Sequence, residues 1–272
     1  MTRFLSALMV CLIMGAASSA SSASSSSASA AELVPTGTLR AAFISTNPVQ
    51  AVTDPKTGEV RGPAAELTRE LARRLGVPGK IEGARGVPGV LAAVKNGEAD
   101  IGFLAYDPPR AAEVDYSQTY SLAQNTFMVL DASPLKSVAD IDRPGIRIGT
   151  TQGDTGDLYL TRTLKHVEFK RSKDGNMDMA MAMLRAREID AYGTNRQRLF
   201  ELAAANPGFR LLPDNFYGVP QAIIVKKGNK PLLQVVERML DEARSSGLIA
   251  GAIKRAGLVG VDVAPPAPPR TR

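Results

Sequence analysis

An α/β chain arranged as two lobes, one inserted into the other, is the fold class this sequence predicts. Three observations carry that reading. Strand-like and helix-like segments alternate between residues 36 and 262, the order expected where helices cover a sheet. The β-α series starts afresh at Ile146-Arg147-Ile148-Gly149. A late apolar strand, Gly218 to Val225, precedes an amphipathic helix, so the chain comes back to the lobe in which it began. A lobe left once and re-entered once is crossed twice, and two crossover strands make a hinge.

Each element has a local cause. Leu39 to Ile44 is a short apolar strand, and Asn47-Pro48 with Asp54-Pro55-Lys56-Thr57-Gly58 forms a turn-rich hairpin or binding loop. Ala64, Leu67, Leu71, Ala72 and Leu75 recur at helical spacing, and Gly76 stands where a left-handed cap belongs. Val87 to Asn96 is a helix through Val90, Leu91 and Val94, stopped by Gly97; Asp100 to Ala105 is a buried strand. Phe127 to Leu130 is the strand by which the chain leaves the first lobe. Beyond it a helix follows Gln152-Gly153-Asp154-Thr155, Met177 to Arg187 forms another, and Ile189 to Tyr192 is a strand. Leu199 to Ala205 is helical up to Asn206-Pro207-Gly208. Pro231 to Ser246 is the closing amphipathic helix through Leu232, Val235, Val236, Met239 and Leu240. The boundaries that follow are 36–127 for the first part of lobe 1, 128–217 for lobe 2 and 218–262 for the return segment of lobe 1.

The two ends differ in character from this middle. Arg3 and the apolar run Phe4 to Ala17, followed by Ala28-Ser29-Ala30, form a signal peptide with a Ser/Ala spacer over residues 1–30. The run is well short of the roughly 20 residues a spanning helix needs, which favours a cleaved signal over an anchor. Cys11, the one cysteine, lies inside it, so the mature chain has no disulfide and is held by ordinary burial. Residues 263–272, ending Pro-Pro-Arg-Thr-Arg, read as an extended Pro-rich tail, and neither end is expected to join a core. The net charge of +6 is scattered among acids, and tryptophan is absent. That pattern excludes a basic stripe with interleaved aromatics of the kind that binds nucleic acid.

Gly37-Thr-Leu-Arg-Ala-Ala-Phe43, Leu91 to Ile101, Pro109-Arg-Ala-Ala-Glu-Val-Asp-Tyr-Ser117, Ile148-Gly-Thr-Thr-Gln-Gly-Asp-Thr155, Leu184 to Ala191 and Ile224 to Asn229 occur in this order. Together these segments resemble family 3 extracellular solute-binding proteins. The resemblance implies a two-lobed periplasmic-binding-protein-like (type II) fold with two crossover hinge strands. It further implies a monomer that closes over a small anionic or zwitterionic ligand in the periplasm and delivers it to the membrane permease of an ABC importer. It also implies that Arg110 forks a ligand carboxylate, for which a planar guanidinium is suited. From the other lobe, Gly153, Asp154 and Thr155 precede a helix, so their backbone N–H groups and the Thr155 hydroxyl suit the same anion. Asp154 and Thr155 also suit plain helix capping, and both roles stand together.

The sequence departs from the resemblance at several positions. Asn195 replaces the aspartate expected to hold a ligand ammonium, and Ala105 replaces a hydroxyl five residues before Arg110, leaving backbone groups of Phe103 and its neighbours as binders. Thr46 and Val87 take the places of flat walls, with Tyr106, Tyr192 and Phe216 as alternative aromatic surfaces. The expected guest is a carboxylate-bearing solute, amino-acid-like or an organic acid. The alternative is an enzyme on the same fold, a cyclohexadienyl-type dehydratase with Asp154 or Glu113 as general acid.

Other patterns carry less. Met177, Met179, Met181 and Met183 suggest soft metal ligands, but on a helix only Met177, Met181 and Leu184 share a face, as in ordinary core packing. His166 is the sole histidine, which argues against a zinc cluster and a Ser-His-Asp triad. Neither a metal nor a cofactor is expected.

Overall fold

The computed structural model describes residues 29–173 and 175–266. The predicted signal segment up to residue 28, with Cys11, and the tail beyond residue 266 lie outside the described residues.

A short helix α1 (Ala30–Leu33) leads into β1 (Leu39–Ile44) and a small ribbon of β2 (Val52–Thr53) and β3 (Val60–Arg61). Helix α2 (Pro63–Leu75), β4 (Gly79–Ala84), α3 (Gly86–Asn96) and β5 (Ile101–Ala105) complete the opening β-α series. Strand β6 (Val114–Leu130) then runs for 17 residues. The second series is β7 (Arg147–Thr151), α4 (Thr155–Thr163), β8 (Glu168–Ser172), α5 (Met177–Arg185), β9 (Ala191–Asn195), α6 (Arg196–Ala205) and β10 (Phe209–Leu211). The chain returns through β11 (Tyr217–Lys226), α7 (Lys230–Ser245), α8 (Leu248–Arg255) and β12 (Val261–Val263).

One long sheet path, β4-β1-β5-β11-β6-β9-β7-β8, joins both halves. Within each half the outer strands are parallel: β1 lies between β4 and β5, and β7 between β8 and β9. Strand β6 serves both. Its opening residues pair with β11 and β12, whereas Asn125 to Met128 pair with β9 and Met128 to Leu130 with β10. The strand begins well before the predicted exit strand Phe127–Leu130, its earlier polar residues being partnered within lobe 1, as Asp115 is with Lys227 and Lys230 and Gln118 with Asp241.

Helices cover both faces of each half-sheet. In lobe 1, Leu67 and Leu71 of α2 and Val236, Met239 and Leu240 of α7 bury against Phe43, Ile101, Phe103 and Ile223. Val90 and Val94 of α3 cover the opposite face against Leu104 and Ile224. In lobe 2, Phe127, Ile148 and Leu160 form one layer, and Met128, Met181, Leu184, Tyr192 and Leu199 the other. Each fully buried side chain of this kind contributes about 1.5–3 kcal/mol. The α5 methionines divide as core packing requires: Met181 is buried and Met179 is exposed. No cluster of three or more His, Cys, Asp or Glu able to hold a metal occurs among the described residues.

The same fastening recurs in both lobes. Arg40 at the head of β1 grips Asp100 with its backbone N–H, Nε and Nη2, and Arg147 at the head of β7 grips Asp190 in the same manner. Each pair ties the first strand of a lobe to the segment entering its partner strand, β5 or β9. A paired guanidinium and carboxylate meet in two parallel bonds, which fixes register as well as energy.

The tail boundary needs correcting. Val261–Val263 pairs with Ser121 to Ala123 of β6, and Ala264 is buried, donating its N–H to the Tyr120 carbonyl and accepting from Arg244 Nε. The packed chain therefore continues through residue 264, because β6 has an open edge there that β12 fills. Among the described residues, no helix is long and apolar enough to cross a membrane.

Candidate functional site

A cavity of about 320 Å³ lies where the two half-sheets meet. It sits at the carboxyl ends of the parallel strands, where open α/β sheets place their ligands. Lobe 1 contributes Thr46 from the loop after β1, Val87 from the first turn of α3, Ala105 at the end of β5, and Arg110 from the 3-10 turn that follows. Lobe 2 contributes Gly153, Asp154 and Thr155 after β7, and Asn195 at the end of β9. Strands β6 and β11, which join the halves, supply Ala123, Asn125, Val219 and Gln221.

Arg110 is held from one side. Its Nη1 donates to the Ala105 carbonyl (3.2 Å) and its Nε lies 3.3 Å from Asp107 Oδ2. Tyr116 Oη donates to the same carbonyl. These contacts orient the guanidinium and leave Nη2 without a hydrogen bond among the described residues, and the side chain keeps 23% of its surface exposed.

The facing turn is built by a buried acid the sequence reading did not single out. Asp157, in the first turn of α4, accepts from Gly153 N–H (2.9 Å), Thr150 Oγ1 (2.9 Å) and Arg171 Nε (2.8 Å). Gly153 adopts φ of +75°, a conformation open to glycine without strain. Two of the three turn amides are thereby committed, Gly153 to Asp157 and Asp154 to the Thr151 carbonyl. The N–H and hydroxyl of Thr155 have no partner among the described residues and remain for a guest.

A match to the model of bacterial extracellular solute-binding proteins, family 3, runs over residues 39–256. The chain belongs to this family. Its relatives include the glutamine-binding protein of Geobacillus stearothermophilus, 29% identical over 65% of this chain and 68% of that protein. In fold, this solute-binding protein is similar to an amino acid ABC transporter substrate-binding protein of Streptococcus pneumoniae bound to L-arginine. The TM-score is 0.65 at 20% identity, covering 86% of this chain and 100% of that one. It is also similar to an ancestral amino-acid-binding protein that is a precursor of cyclohexadienyl dehydratase (TM-score 0.64, 22% identity, 83% and 97% covered). The fold is thus that of the type II periplasmic binding proteins.

Two features of the cavity differ from what the sequence predicts. Phe103 does not line the cavity; it is fully buried, its ring edge-on to Tyr120 with centroids 6.1 Å apart. It shares a face of β5 with Ala105 but lies about 6–7 Å deeper along the strand. The proposed aromatic walls also lie elsewhere. Tyr106 packs on Tyr116 outside the cavity, Tyr192 is buried with its hydroxyl on Thr151 Oγ1, and Phe216 sits against Phe127 and Tyr159. The cavity wall is aliphatic and amide-rich instead.

Of the two residues anticipated as caps, Asp154 takes that role and Thr155 is the first residue of the helix; Asn195 caps a second helix, a role the sequence did not suggest. Asp154 is the N-cap of α4, its Oδ1 accepting from Asp157 N–H (2.6 Å), and Asn195 caps α6 by accepting from Arg198 N–H (3.3 Å). Burial pushes the Asp154 carboxyl up to about 6, opposed by the Asp157 N–H and reinforced by the nearby Asp157 charge. Glu113, the other acid considered for chemistry, pairs with Lys95 at the surface (2.5 Å) and is not among the residues lining the cavity. His166 is exposed beside Asp142.

Sequence reasoning missed Arg198, Asn125, Thr194, Gln50 and Gln221, all of which line the cavity. Gln50 and Gln221 are buried and bonded to one another (3.4 Å), and Gln50 Oε1 also accepts from Ile44 N–H. Arg198 carried a readable signal, standing one turn after the cap Asn195. Asn125 carried one as a polar residue in an apolar stretch of β6.

Proposed function

We propose that this protein is the exported substrate-binding component of an ABC importer for a small carboxylate-bearing, amino-acid-like solute. The single observation that carries the proposal is the pairing of donors across one cavity. Lobe 1 supplies the Arg110 edge and lobe 2 the Thr155 N–H and hydroxyl, all without hydrogen-bond partners among the described residues. Arg110 meets the carboxylate first in the open form, and closure brings the Thr155 turn, at the N-terminus of α4, onto the same anion. The lobes, 36–127 with 218–264 and 128–217, move about β6 and β11 as hinge strands. An amino-acid guest is supported by relatives named for glutamine and by the L-arginine-bound structural neighbour.

The monomer works in the periplasm, where a cleaved signal at residues 1–30 sends it, and docks on a membrane permease. The enzymatic alternative draws on Asp154, a buried acid in the cleft, and on the dehydratase-precursor neighbour. An acid alone is a weak catalytic set, because the other charged residues of the lining, Arg110 and Arg198, are hydrogen-bond donors without a basic lone pair to offer.

A thermal-shift screen of amino acids and organic acids tests the binding reading. At 100 times its dissociation constant a ligand stabilises the folded state by about 2.7 kcal/mol. At least one carboxylate-bearing compound is expected to do so, and a flat response across the whole panel would overturn the proposal.

A further inference from the structure

The lining of the cavity has an unbalanced set of charges. Of its residues, Arg110 and Arg198 are cationic and Asp154 is anionic. Arg198 and Asp154 stand at the N-terminal turns of neighbouring helices on the lobe 2 wall, yet neither forms an ion pair within 4.0 Å among the described residues. Among the described residues, Arg198 has one side-chain hydrogen bond, Nη2 to the Gly175 carbonyl (3.3 Å), and Asp154 accepts only from the backbone of its own turn. Arg110 does have a counter-ion, Asp107, but that residue is not part of the lining.

A third polar group is open as well. Asn125, on the strand that joins the lobes, is only 5% exposed, and its carboxamide makes no hydrogen bond among the described residues while lining the cavity. Buried amides are rarely left without partners, so an unbonded one beside a cavity marks a place for a guest's polar atoms.

On the reading that Arg110 and Thr155 hold a carboxylate, we infer that the guest is an acidic α-amino acid. Its ammonium meets Asp154, and its second acid group meets Arg198 with help from Asn125. The charge count decides the class. A wall of two cations and one anion complements a guest of two anions and one cation. Asp154 is next in sequence to Thr155, and in an α-amino acid the ammonium and carboxylate share one carbon, so adjacent receptors suit adjacent groups.

The rival guests each leave a charge unmet. A neutral amide side chain gives Arg198 an uncharged acceptor and forfeits the charge-assisted bond. A cationic side chain meets a second guanidinium instead of an acid. A dicarboxylate without an amine sets Asp154 beside a carboxylate with no cation between them. A site built to bind a given polar group rejects analogues lacking it, because its own groups are then left unpaired.

Isothermal titration of the mature protein at pH 7.5 and fixed salt, with L-glutamate, L-aspartate, L-glutamine, L-arginine and glutarate, tests this. Glutamate or aspartate is expected to bind at least about tenfold tighter than glutamine, arginine or glutarate, the range of one charge-assisted bond. Arg198→Gln should weaken the acidic amino acid about tenfold more than it weakens glutamine. Glutamine or arginine binding as tightly as the acidic pair, or an acid-over-amide preference that survives Arg198→Gln, would overturn the inference. If Arg110→Ala still abolishes binding in that case, the broader carboxylate-capture reading survives. Tight glutamate binding that is indifferent to Arg110→Ala would sink both. Failure of all five compounds to bind also overturns the inference. The comparison among ligands on the unaltered protein does not depend on how any variant folds.

Discussion

Arg110→Ala is expected to abolish measurable ligand binding while leaving the unliganded protein folded. The side chain stands in a short surface turn, not in a core cluster, and its partners there are a carbonyl and a part-exposed carboxylate that water can serve in its absence. Its removal therefore costs the apo protein little, as is usual for surface positions. The guest loses its only lobe 1 cation among the described lining residues. Removing one partner of a closed-site charge pair costs about 2–5 kcal/mol, or roughly thirtyfold to several thousandfold in affinity. Arg110→Lys should fall between the two, since an ammonium keeps the charge but not the fork. Calorimetry on both variants reads the effect, and unchanged affinity in the alanine variant would contradict the capture role.

The second large effect concerns stability. Asp154→Asn is expected to stabilise the unliganded protein at pH 7.5 and to make almost no difference at pH 4. The sign follows from burial, which raises the Asp154 carboxyl to about 6 from an ordinary 3.8. Below the ordinary value both folded and unfolded chains hold the proton. As pH climbs from about 4 to 6, the unfolded chain ionises first and the folded state loses ground; above that the loss is constant. A shift of this size corresponds to roughly 3 kcal/mol. Asparagine caps a helix about as well as aspartate, so the cap itself is retained.

The charges acting on Asp154 are Asp157 on its own helix, itself paired with Arg171, and Arg198 on α6. None of them closes an ion pair with it, which is why desolvation dominates. Urea denaturation of both proteins at the two pH values measures the difference. A variant less stable than the parent at pH 7.5 would show that the carboxylate is not strained in the empty site. The same substitution should weaken binding of an amine-bearing guest, so stability and function pull in opposite directions at this residue.

How legible the molecule was depended on how local each cause is. Helix α2 could be read directly, because its apolar stripe, Pro63 in the first turn and left-handed Gly76 all lie within its own sequence. Strands β4 and β8 could not. Both are outermost in the sheet path, and Gly79–Ala84 and Glu168–Ser172 are largely exposed and charged, the composition that protects an edge and hides the period-two pattern. Strand β12 was hidden for a related reason: its partner is the long-range edge of β6, and three residues before a Pro-rich end carry no pattern of their own.

The site divided along the same line. Arg110 and the Gly153–Thr155 turn belong to short motifs and were read from them. Arg198 and Asn125 reach the cavity only because α6 and β6 meet where the lobes join, a fact of tertiary structure. Asp157 shows the limit most clearly. In sequence it is one more acid in a helix's first turn; in the fold it takes the Gly153 amide out of play and fixes which donors are left for a guest.

The most direct test is a crystal structure of the protein saturated with whichever carboxylate solute stabilises it. The account expects the lobes drawn together, with the ligand carboxylate in hydrogen-bond contact with both the Arg110 guanidinium and the Thr155 N–H or hydroxyl. A ligand found outside this cavity, or bound within it with its carboxylate turned away from Arg110, would contradict it.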